Sequence, residues 1–257
     1  MSSKIGLVLS GGGARGIAHL GMLKAFEEWK INFDIISGTS AGALIGAFYA
    51  KNFSSEDILT ISKKIKLFHI DSIIAGKLGL IKMTSVETIL KTYFPENNFS
   101  SLHKPLYVSA TDIINGIPIY FSSGQLIPAL LASSCIPLIF DSIEYNNTYL
   151  VDGGVLNNLP IEPIKDKADI IIAMHVNNLS KEKVHIHFKD ILERSFHLAL
   201  STSVYSKVNQ CAIFLDPPNL SQFSMFDIEK ADEIFEYAYA YTKQNEKQIM
   251  NIINQKK

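Results

Sequence analysis

The stretch Gly38-Thr39-Ser40-Ala41-Gly42 decides the fold that this sequence predicts. The residues before it, 33–37 (FDIIS), are rich in β-branched side chains and predict a buried strand. The residues after it, 43–50, are apolar and contain no proline, which predicts a buried helix. Ser40 therefore lies on a sharp strand-to-helix turn, with a glycine two residues away on each side.

This G-x-S-x-G pattern is typical of a nucleophile elbow, in which a tight turn exposes a serine hydroxyl. Gly38 and Gly42 allow the strained turn and leave room beside the hydroxyl. The N-terminus of the following helix favours developing negative charge. The pattern predicts that Ser40 is the nucleophile of an acyl-transfer reaction.

A glycine-rich loop precedes the elbow by one predicted strand and one predicted helix. Residues 5–9 predict a buried strand, and residues 14–29 have apolar positions at helical spacing. Gly11, Gly12 and Gly13 lie between these two elements. Because glycine has no side chain, their N–H groups can face a tetrahedral oxyanion directly. The loop is therefore a candidate oxyanion hole.

Two residues near this loop have roles that the sequence leaves open. Arg15 is one of only two arginines in the chain. A fixed guanidinium could hold the loop or bind a phosphate group, and the alternative is a surface position in the first turn of the helix. His19 is expected to be a packed structural histidine rather than a base.

The same loop also fits a second kind of site, because residues 11–16 match the G-x-G-x-x-G fingerprint of dinucleotide-binding folds. That site needs an acidic residue roughly 20 positions on, at the end of the second strand. Asp34 lies at the start of that strand, and the strand runs directly into the elbow. A nucleotide-binding oxidoreductase is therefore the alternative, and acyl transfer is preferred.

An aspartate supplies the third motif. Asn115-Gly116 predicts the turn of one hairpin, and a second hairpin over 143–151, turning near Asn146-Asn147, leads to Asp152-Gly153-Gly154. An aspartate that closes a strand before two glycines is a typical place for a carboxylate that projects into a cleft. It is equally typical of an ordinary hydrogen-bonded turn.

The remaining segments alternate between strand and helix. Segment 67–83 is apolar, broken by glycines and carries only lysines as charges, so it is either a mobile lid or loop and core packing. No repeat or linker divides the chain, which predicts one α/β domain over residues 1–257 with helices on both faces of its sheet. The other predicted helices are 54–66, 126–132, 188–208 and 227–253, and the other predicted strands are 169–176 and 212–216.

Composition limits the function further. Hydrophobic residues are 47% of the 257 residues and charged residues 19%, as in an ordinary globular protein. Lys+Arg is 24 and Asp+Glu is 25, so no broad charge favours nucleic acid as a partner. The apolar runs are shorter than the roughly 20 residues of a membrane span. With Cys135 and Cys211 interpreted as buried free thiols, we expect a cytoplasmic protein whose contact with membranes is at most peripheral.

The three motifs and their order resemble the patatin-like phospholipase family, in its bacterial single-domain form. The resemblance covers nearly the whole chain and is carried by GGGARGIAHLGML (11–23), the elbow, ASSCIPLIF (132–140) and LVDGGVLNNLP (150–160). It implies a three-layer α/β/α fold with a mostly parallel central sheet. It also implies a Ser-Asp dyad of Ser40 and Asp152, with the oxyanion bound by the glycine loop and support from Arg15, Gly38, Gly42, Gly153 and Gly154.

A Ser-Asp-His triad is the competing arrangement. Of the histidines after Asp152, only His175 lies near a predicted strand end, and no loop motif surrounds it. The glycine loop also precedes the elbow by a single strand–helix unit, whereas an α/β-hydrolase usually has several strands before its elbow. We therefore favour the dyad. Aspartate has an unperturbed pKa of ~3.9, so a dry site would be needed to make Asp152 a useful base. His185 and His187 alone give no metal-ligand spacing, and we expect neither metal nor cofactor.

These expectations combine into one hypothesis, that the protein hydrolyses acyl esters of lipids through an acyl-Ser40 intermediate. The expected substrate is a phospholipid, lysophospholipid or neutral ester. A catalytically silent lipid-binding module that has kept the motifs is a further alternative. The sequence predicts neither the head group nor the oligomeric state.

Overall fold

A computed structural model describes residues 3–64, 83–137, 139–178, 191, 194–195, 198, 201 and 203–256. In these residues eight strands and seven α-helices form a mixed α/β fold. The strands are β1 (Ile5–Leu9), β2 (Ile35–Thr39), β3 (Leu106–Asp112), β4 (Ile117–Phe121), β5 (Ile143–Tyr145), β6 (Thr148–Asp152), β7 (Ile170–Met174) and β8 (Ile213–Leu215). The helices are α1 (Ile17–Glu28), α2 (Ala41–Ala50), α3 (Ser55–Lys64), α4 (Thr84–Tyr93), α5 (Leu126–Ser133), α6 (Ala231–Gln244) and α7 (Glu246–Lys256).

These strands form one sheet with a parallel centre. Its order is β5-β6-β3-β2-β1-β7-β8, and β4 also pairs with β3. The pairs from β3 through β2, β1 and β7 to β8 are parallel, whereas the pairs that involve β4, β5 and β6 are antiparallel. β1, β2 and β7 are buried along their whole length, as is usual for parallel strands covered on both faces. The predicted α/β class with a mostly parallel central sheet is confirmed.

Each face of the sheet has its own apolar cluster, because successive side chains of a strand point to opposite faces. Leu7 and Leu9 belong to the larger cluster, to which all seven α-helices of the described residues contribute. Val8 belongs to a smaller cluster on the other face, together with Leu159, Ile161, Ile164 and Val204. The main core therefore lies between the helices and one face of the sheet.

β3 brings the ends of β2 and β6 together. Thr39, the last residue of β2, pairs with Ser109 of β3. Asp152, the last residue of β6, pairs with the next residue of β3, Ala110. β4 occupies the opposite edge of β3, so β2 and β6 share one edge and run along it in opposite directions. Their C-terminal ends therefore meet head to head.

Most predicted elements are found near their predicted bounds. The helices predicted over 14–29, 43–50, 54–66 and 126–132 correspond to α1, α2, α3 and α5, and a 3-10 turn at Gly13–Gly16 precedes α1. Both hairpins are confirmed, with positive φ at Gly116 in one turn and at Asn146 and Asn147 in the other. The strand before the elbow is shifted by two residues, because its pairing with β3 continues to Thr39.

The prediction of a single helix over 227–253 is wrong. The chain makes a 3-10 turn at Ile228–Lys230 and then forms α6 and α7, which are separated at Asn245. The side-chain amide of Asn245 donates to the carbonyl of Tyr241 at 2.7 Å and so satisfies a group at the end of α6. Buried apolar residues continue on both sides of the break, which is why their spacing did not reveal it.

Two predicted features lie outside the described residues. These are the candidate lid 67–83, apart from Met83, and most of the predicted helix over 188–208. In the part of the chain that is described, no helix is long and apolar enough to cross a membrane.

Candidate active site

Ser40 lies on a strained turn between β2 and α2. Its φ of 52° is in the left-handed region, which is uncommon for a residue with a side chain. A Cβ on Gly38 would lie 2.6 Å from the Gly42 carbonyl oxygen, and a Cβ on Gly42 would clash with the Leu9 carbonyl oxygen. Both positions need glycine because backbone packs directly against them. The local geometry is that of the predicted nucleophile elbow.

Ser133, at the end of α5, holds the elbow from outside. Its hydroxyl accepts a hydrogen bond from the Ser40 N–H at 2.8 Å and donates one to the Ser109 carbonyl oxygen at 2.6 Å. Ser133 is completely buried. The backbone of Ser40 is therefore tied through one hydroxyl to the strand that also positions Asp152.

Asp152 lines the same pocket as Ser40. Its Oδ1 accepts the Gly154 N–H at 2.7 Å. Burial raises the pKa of Asp152 from 3.8 to about 6, although the neighbouring Ser40 hydroxyl and the Gly154 N–H oppose the rise. A Cβ on Gly153 would clash with the Ser109 carbonyl oxygen, so only glycine lets this turn pack against β3. The carboxylate is thus drier and more basic than an ordinary aspartate.

The three loop glycines differ in what their N–H groups contact. The Gly11 N–H donates to the Asn158 carbonyl oxygen over 3.3 Å. Those of Gly12 and Gly13 have no acceptor among the described residues. A Cβ on Gly12 would clash with the Val176 side chain, and Gly13 has a φ of +57° with the Met225 carbonyl oxygen against it. The loop therefore requires glycine at both positions that have a free donor.

Arg15 is buried, so the surface alternative for this residue is wrong. Its Nε donates to the Phe223 carbonyl oxygen at 2.6 Å. The N–H of the preceding residue, Ala14, donates to the Met225 carbonyl oxygen at 2.8 Å. Both bonds join the end of the glycine loop to segment 223–225, so the guanidinium helps to hold the loop.

Ser40 lies at the junction of two pockets. The smaller, which we call the reaction pocket, contains Ser40 and Asp152. It is also lined by the glycine loop, Gly154, Ile136, Asn158, Asn177 and Met225. We call the larger one the apolar pocket. Its walls are mostly apolar side chains, among them Ile17, Leu44, Ile45, Phe48, Ile58, Met83, Val86, Leu90 and Phe140.

No histidine of the described residues lines either pocket. His175 Nδ1 lies 2.9 Å from Asp216 Oδ1 at the ends of β7 and β8, and His175 is buried while Asp216 is partly buried. His19 is completely buried with Nε2 2.8 Å from the Ser10 carbonyl oxygen, and burial lowers its pKa to about 4. The packed role predicted for His19 is confirmed.

This geometry does not provide the ribose site that the dinucleotide alternative needs. Asp34 accepts the Ile5 N–H at 2.7 Å at the start of β2, away from the end of the strand. The position where a ribose would lie is occupied by the elbow. Within the described ranges, no three His, Cys, Asp or Glu residues are grouped as metal ligands. Cys135 is buried and Cys211 is partly exposed, and both are free thiols.

The family model of patatin-like phospholipases matches residues 7–165 of this chain. The chain belongs to the patatin-like phospholipase family. The match covers the glycine loop, the elbow and the Asp152 turn. The predicted family resemblance is thereby confirmed.

Curated relatives of this patatin-like chain carry the name lysophospholipase. Lysophospholipase nte1 of Aspergillus fumigatus is 29% identical over 289 residues, which cover 93% of this chain and 18% of that protein. Lysophospholipase nte1 of Aspergillus oryzae is 30% identical over 277 residues, with the same coverage. The chain thus spans less than a fifth of the length of these relatives.

Solved structures with the same patatin-like fold come from distant sequences. VipD from Legionella pneumophila superposes with a TM-score of 0.55 at 15% identity, over 100% of this chain and 67% of that one. Human GIVD cytosolic phospholipase A2 in complex with methyl gamma-linolenyl fluorophosphonate and terbium chloride gives a TM-score of 0.57 at 9% identity, over 98% and 59% of the two chains. At these identities the likeness concerns the fold alone.

Three residues of the site were not assigned by sequence reasoning: Ser133, Asn158 and Asn177. The first two lie inside stretches that carried the family resemblance, 132–140 and 150–160. Asn177 lies three residues after β7, at the carboxyl edge of the sheet where functional side chains collect. Position relative to a strand end was therefore the signal that could have found Asn177.

Proposed function

We propose that this chain hydrolyses acyl esters of lipids, with Ser40 as the nucleophile and Asp152 as its base. The observation that carries the proposal is that a serine on a strained turn and a buried carboxylate with a raised pKa line the same small pocket. Membership of the patatin-like phospholipase family and the names of the relatives support a lipid ester as substrate. The reaction type is that of a phospholipase A, a lysophospholipase or an esterase.

In the first step, the Ser40 oxygen attacks the acyl carbonyl and Asp152 takes the hydroxyl proton. Negative charge then develops on the carbonyl oxygen. The N–H groups of Gly12 and Gly13 are the donors available for it, while Gly11 shapes the loop through its bond to Asn158. The N-terminus of α2 adds favourable electrostatic potential at the same place.

In the second step, the protonated Asp152 returns its proton to the leaving alcohol oxygen, and the acyl group stays on Ser40. Water then enters, Asp152 accepts a proton from it, and the resulting hydroxide attacks the acyl carbonyl. As this intermediate collapses, Asp152 returns its proton to the Ser40 oxygen, which restores the hydroxyl and releases the fatty acid. A carboxylate whose pKa is about 6 is ionised at neutral pH and still basic enough for both transfers.

The apolar pocket is the site proposed for the acyl chain. It opens at Ser40, and its described lining contains no ionisable side chain. Each buried CH₂ group is worth about 0.8 kcal/mol, so a long chain gains more from this pocket than a short one. A lysophospholipid with a long acyl chain is therefore the substrate we would test first. The proposed localisation is cytoplasmic, with the protein meeting its lipid at a membrane surface.

The test compares three variants on palmitoyl-lysophosphatidylcholine and on a short-chain nitrophenyl ester. Ser40→Ala and Asp152→Asn are each expected to lower kcat by at least about 10³-fold, as for serine hydrolases that lose a nucleophile or base. The control His175→Gln keeps a hydrogen-bonding side chain and is expected to keep the activity. Thermal unfolding checks that all three are folded.

Other outcomes would favour the alternatives. Activity retained in Asp152→Asn but lost in His175→Gln would indicate a triad. Failure of a fluorophosphonate probe to label Ser40, with no hydrolysis of either ester, would indicate a catalytically silent lipid-binding module. Thermal stabilisation by NAD(P) would indicate the nucleotide-binding alternative.

A further inference from the structure

Two buried side chains of the reaction pocket each have one amide atom without a hydrogen-bond partner. Asn158 is 2% exposed and its Nδ2 donor is unpaired among the described residues. Asn177 is 4% exposed and its Oδ1 acceptor is likewise unpaired there. Both side chains line the same pocket as Ser40 and Asp152. Because a buried unpaired polar group is costly, both atoms indicate a ligand that supplies the missing bonds.

The surrounding contacts fix what each amide offers. Asn177 Nδ2 donates to the Gly11 carbonyl oxygen at 2.7 Å, so its Oδ1 is the amide atom that is left without a partner. The Asn158 amide lies between the glycine loop and the Asp152 turn. A Cβ on Gly11 would be 2.6 Å from Asn158 Oδ1 and 3.2 Å from the Ser40 Cβ, and a Cβ on Gly154 would be 3.2 Å from Asn158 Oδ1. Asn158 therefore lies beside both reacting residues.

An unpaired donor and an unpaired acceptor on two side chains that line one pocket match a group that both accepts and donates. A phosphate dianion accepts only, and an ammonium group donates only, so each would leave one amide unpaired. A hydroxyl satisfies both. We propose that Asn158 and Asn177 form a subsite for a free hydroxyl of the substrate alcohol, next to the ester that Ser40 attacks.

This subsite rests on the proposed lipid-ester hydrolysis and adds a rule of selection to it. The preferred substrate carries a hydroxyl beside the scissile ester, as in a lysoglycerophospholipid or a monoacylglycerol. A second acyl ester at that position has no O–H to donate and leaves the Asn177 acceptor unpaired. Sites built to bind a substrate hydroxyl discriminate strongly against analogues that lack it.

The first test uses the wild-type protein and needs no mutation. It compares 1-palmitoyl-lysophosphatidylcholine with its 2-deoxy analogue, which has the same acyl chain and head group. Losing these hydrogen bonds is expected to lower kcat/KM by about 10- to 100-fold. Equal kcat/KM for the two lipids would overturn the subsite and assign the two amides to bound water. Hydrolysis of neither lipid, nor of a nitrophenyl ester, would overturn the proposed function and the subsite with it.

The second test asks whether the selectivity depends on Asn158. Asn158→Leu, with Asn158→Ala as a second variant, is expected to bring the ratio of the two kcat/KM values close to one. A role in folding or in binding the oxyanion would lower both rates together and preserve the ratio, which would overturn the assignment. The matched control is Asn178→Ala, whose amide donates to Asp216 at 2.8 Å, and it is expected to keep the wild-type ratio.

Discussion

The reaction pocket and the apolar pocket share Ser40, and they are built in different ways. The reaction pocket depends on backbone: a positive φ at Ser40, glycines packed against carbonyl oxygens, and N–H groups with defined directions. The apolar pocket depends on side chains from α1 to α4 that belong to the main core. The backbone geometry of the reaction pocket tolerates almost no substitution. In a wall of apolar side chains, by contrast, one apolar residue can replace another of similar volume with a small loss of stability.

This difference separates two functional properties. On the proposed function, the chemistry depends on a small set of positions, several of which admit only glycine. The accepted length of acyl chain would depend on many positions, each with a small effect. Substitutions in the reaction pocket should therefore change kcat for every substrate, and substitutions in the apolar pocket should change the ranking of substrates.

The substitution Ser133→Ala is expected to lower kcat more than the changes described in the paragraphs below. Removing this hydroxyl leaves the buried Ser40 N–H and the Ser109 carbonyl oxygen without their partner, which costs about 1–3 kcal/mol for each unpaired group. We expect kcat to fall about 10- to 100-fold with KM nearly unchanged, because Ser133 positions the elbow without touching the substrate.

The matched control is the next residue. The Ser134 hydroxyl lines the apolar pocket and has no partner among the described residues, so Ser134→Ala should leave kcat close to the wild-type value. Steady-state kinetics on one long-chain ester measures both variants. Equal losses of kcat in the two variants would contradict the role given to Ser133.

The next effect is a pH dependence confined to the reaction pocket. Asp152 acts as a base only when ionised, and its pKa is about 6, so kcat/KM should fall roughly tenfold between pH 7 and pH 5. An aspartate with an ordinary pKa would lose little activity over this range. A profile that stays flat down to pH 5 would count against Asp152 as the base.

The contribution of Asp152 to stability should decrease as pH rises, whereas the activity should increase. Because the folded-state pKa lies above the unfolded value, the native state binds the extra proton between about pH 4 and pH 6, and the contribution of Asp152 to stability decreases as pH rises through this window. Denaturant unfolding at several pH values should show this slope in the wild type. The slope should be reduced in Asp152→Asn.

An effect of similar size, but limited to long acyl chains, is expected in the apolar pocket. Leu44→Trp fills part of the space beside Ser40 and should lower kcat/KM on a sixteen-carbon ester by about 10-fold relative to a four-carbon ester, which is the value of roughly two buried CH₂ groups. The control Leu59→Trp changes a partly buried leucine that does not line this pocket. A uniform loss on both chain lengths would indicate that Leu44 belongs functionally to the reaction pocket.

Sequence reasoning worked best where one residue type is required by local geometry. Gly38, Gly42 and the Asn115-Gly116 turn were predictable because their backbone conformations or close approaches exclude other residues. It failed at Asn245, where buried residues keep helical spacing across a break. It also left open whether Arg15 is buried or on the surface, because the carbonyl oxygen that its buried guanidinium binds lies more than 200 residues away in the sequence.

The sequence by itself determined the residue types of the site: a serine between glycines, an aspartate before glycines, and a loop with N–H groups free of side chains. Only the tertiary structure decided that they meet, because β3 pairs with β2 and β6 at consecutive residues along one edge. It also decided the basicity of Asp152 and the unpaired amide atoms of Asn158 and Asn177, since both follow from burial by segments distant in the chain. Local backbone conformation determines which residue types fit each position, whereas desolvation and strand register exist only in the folded chain.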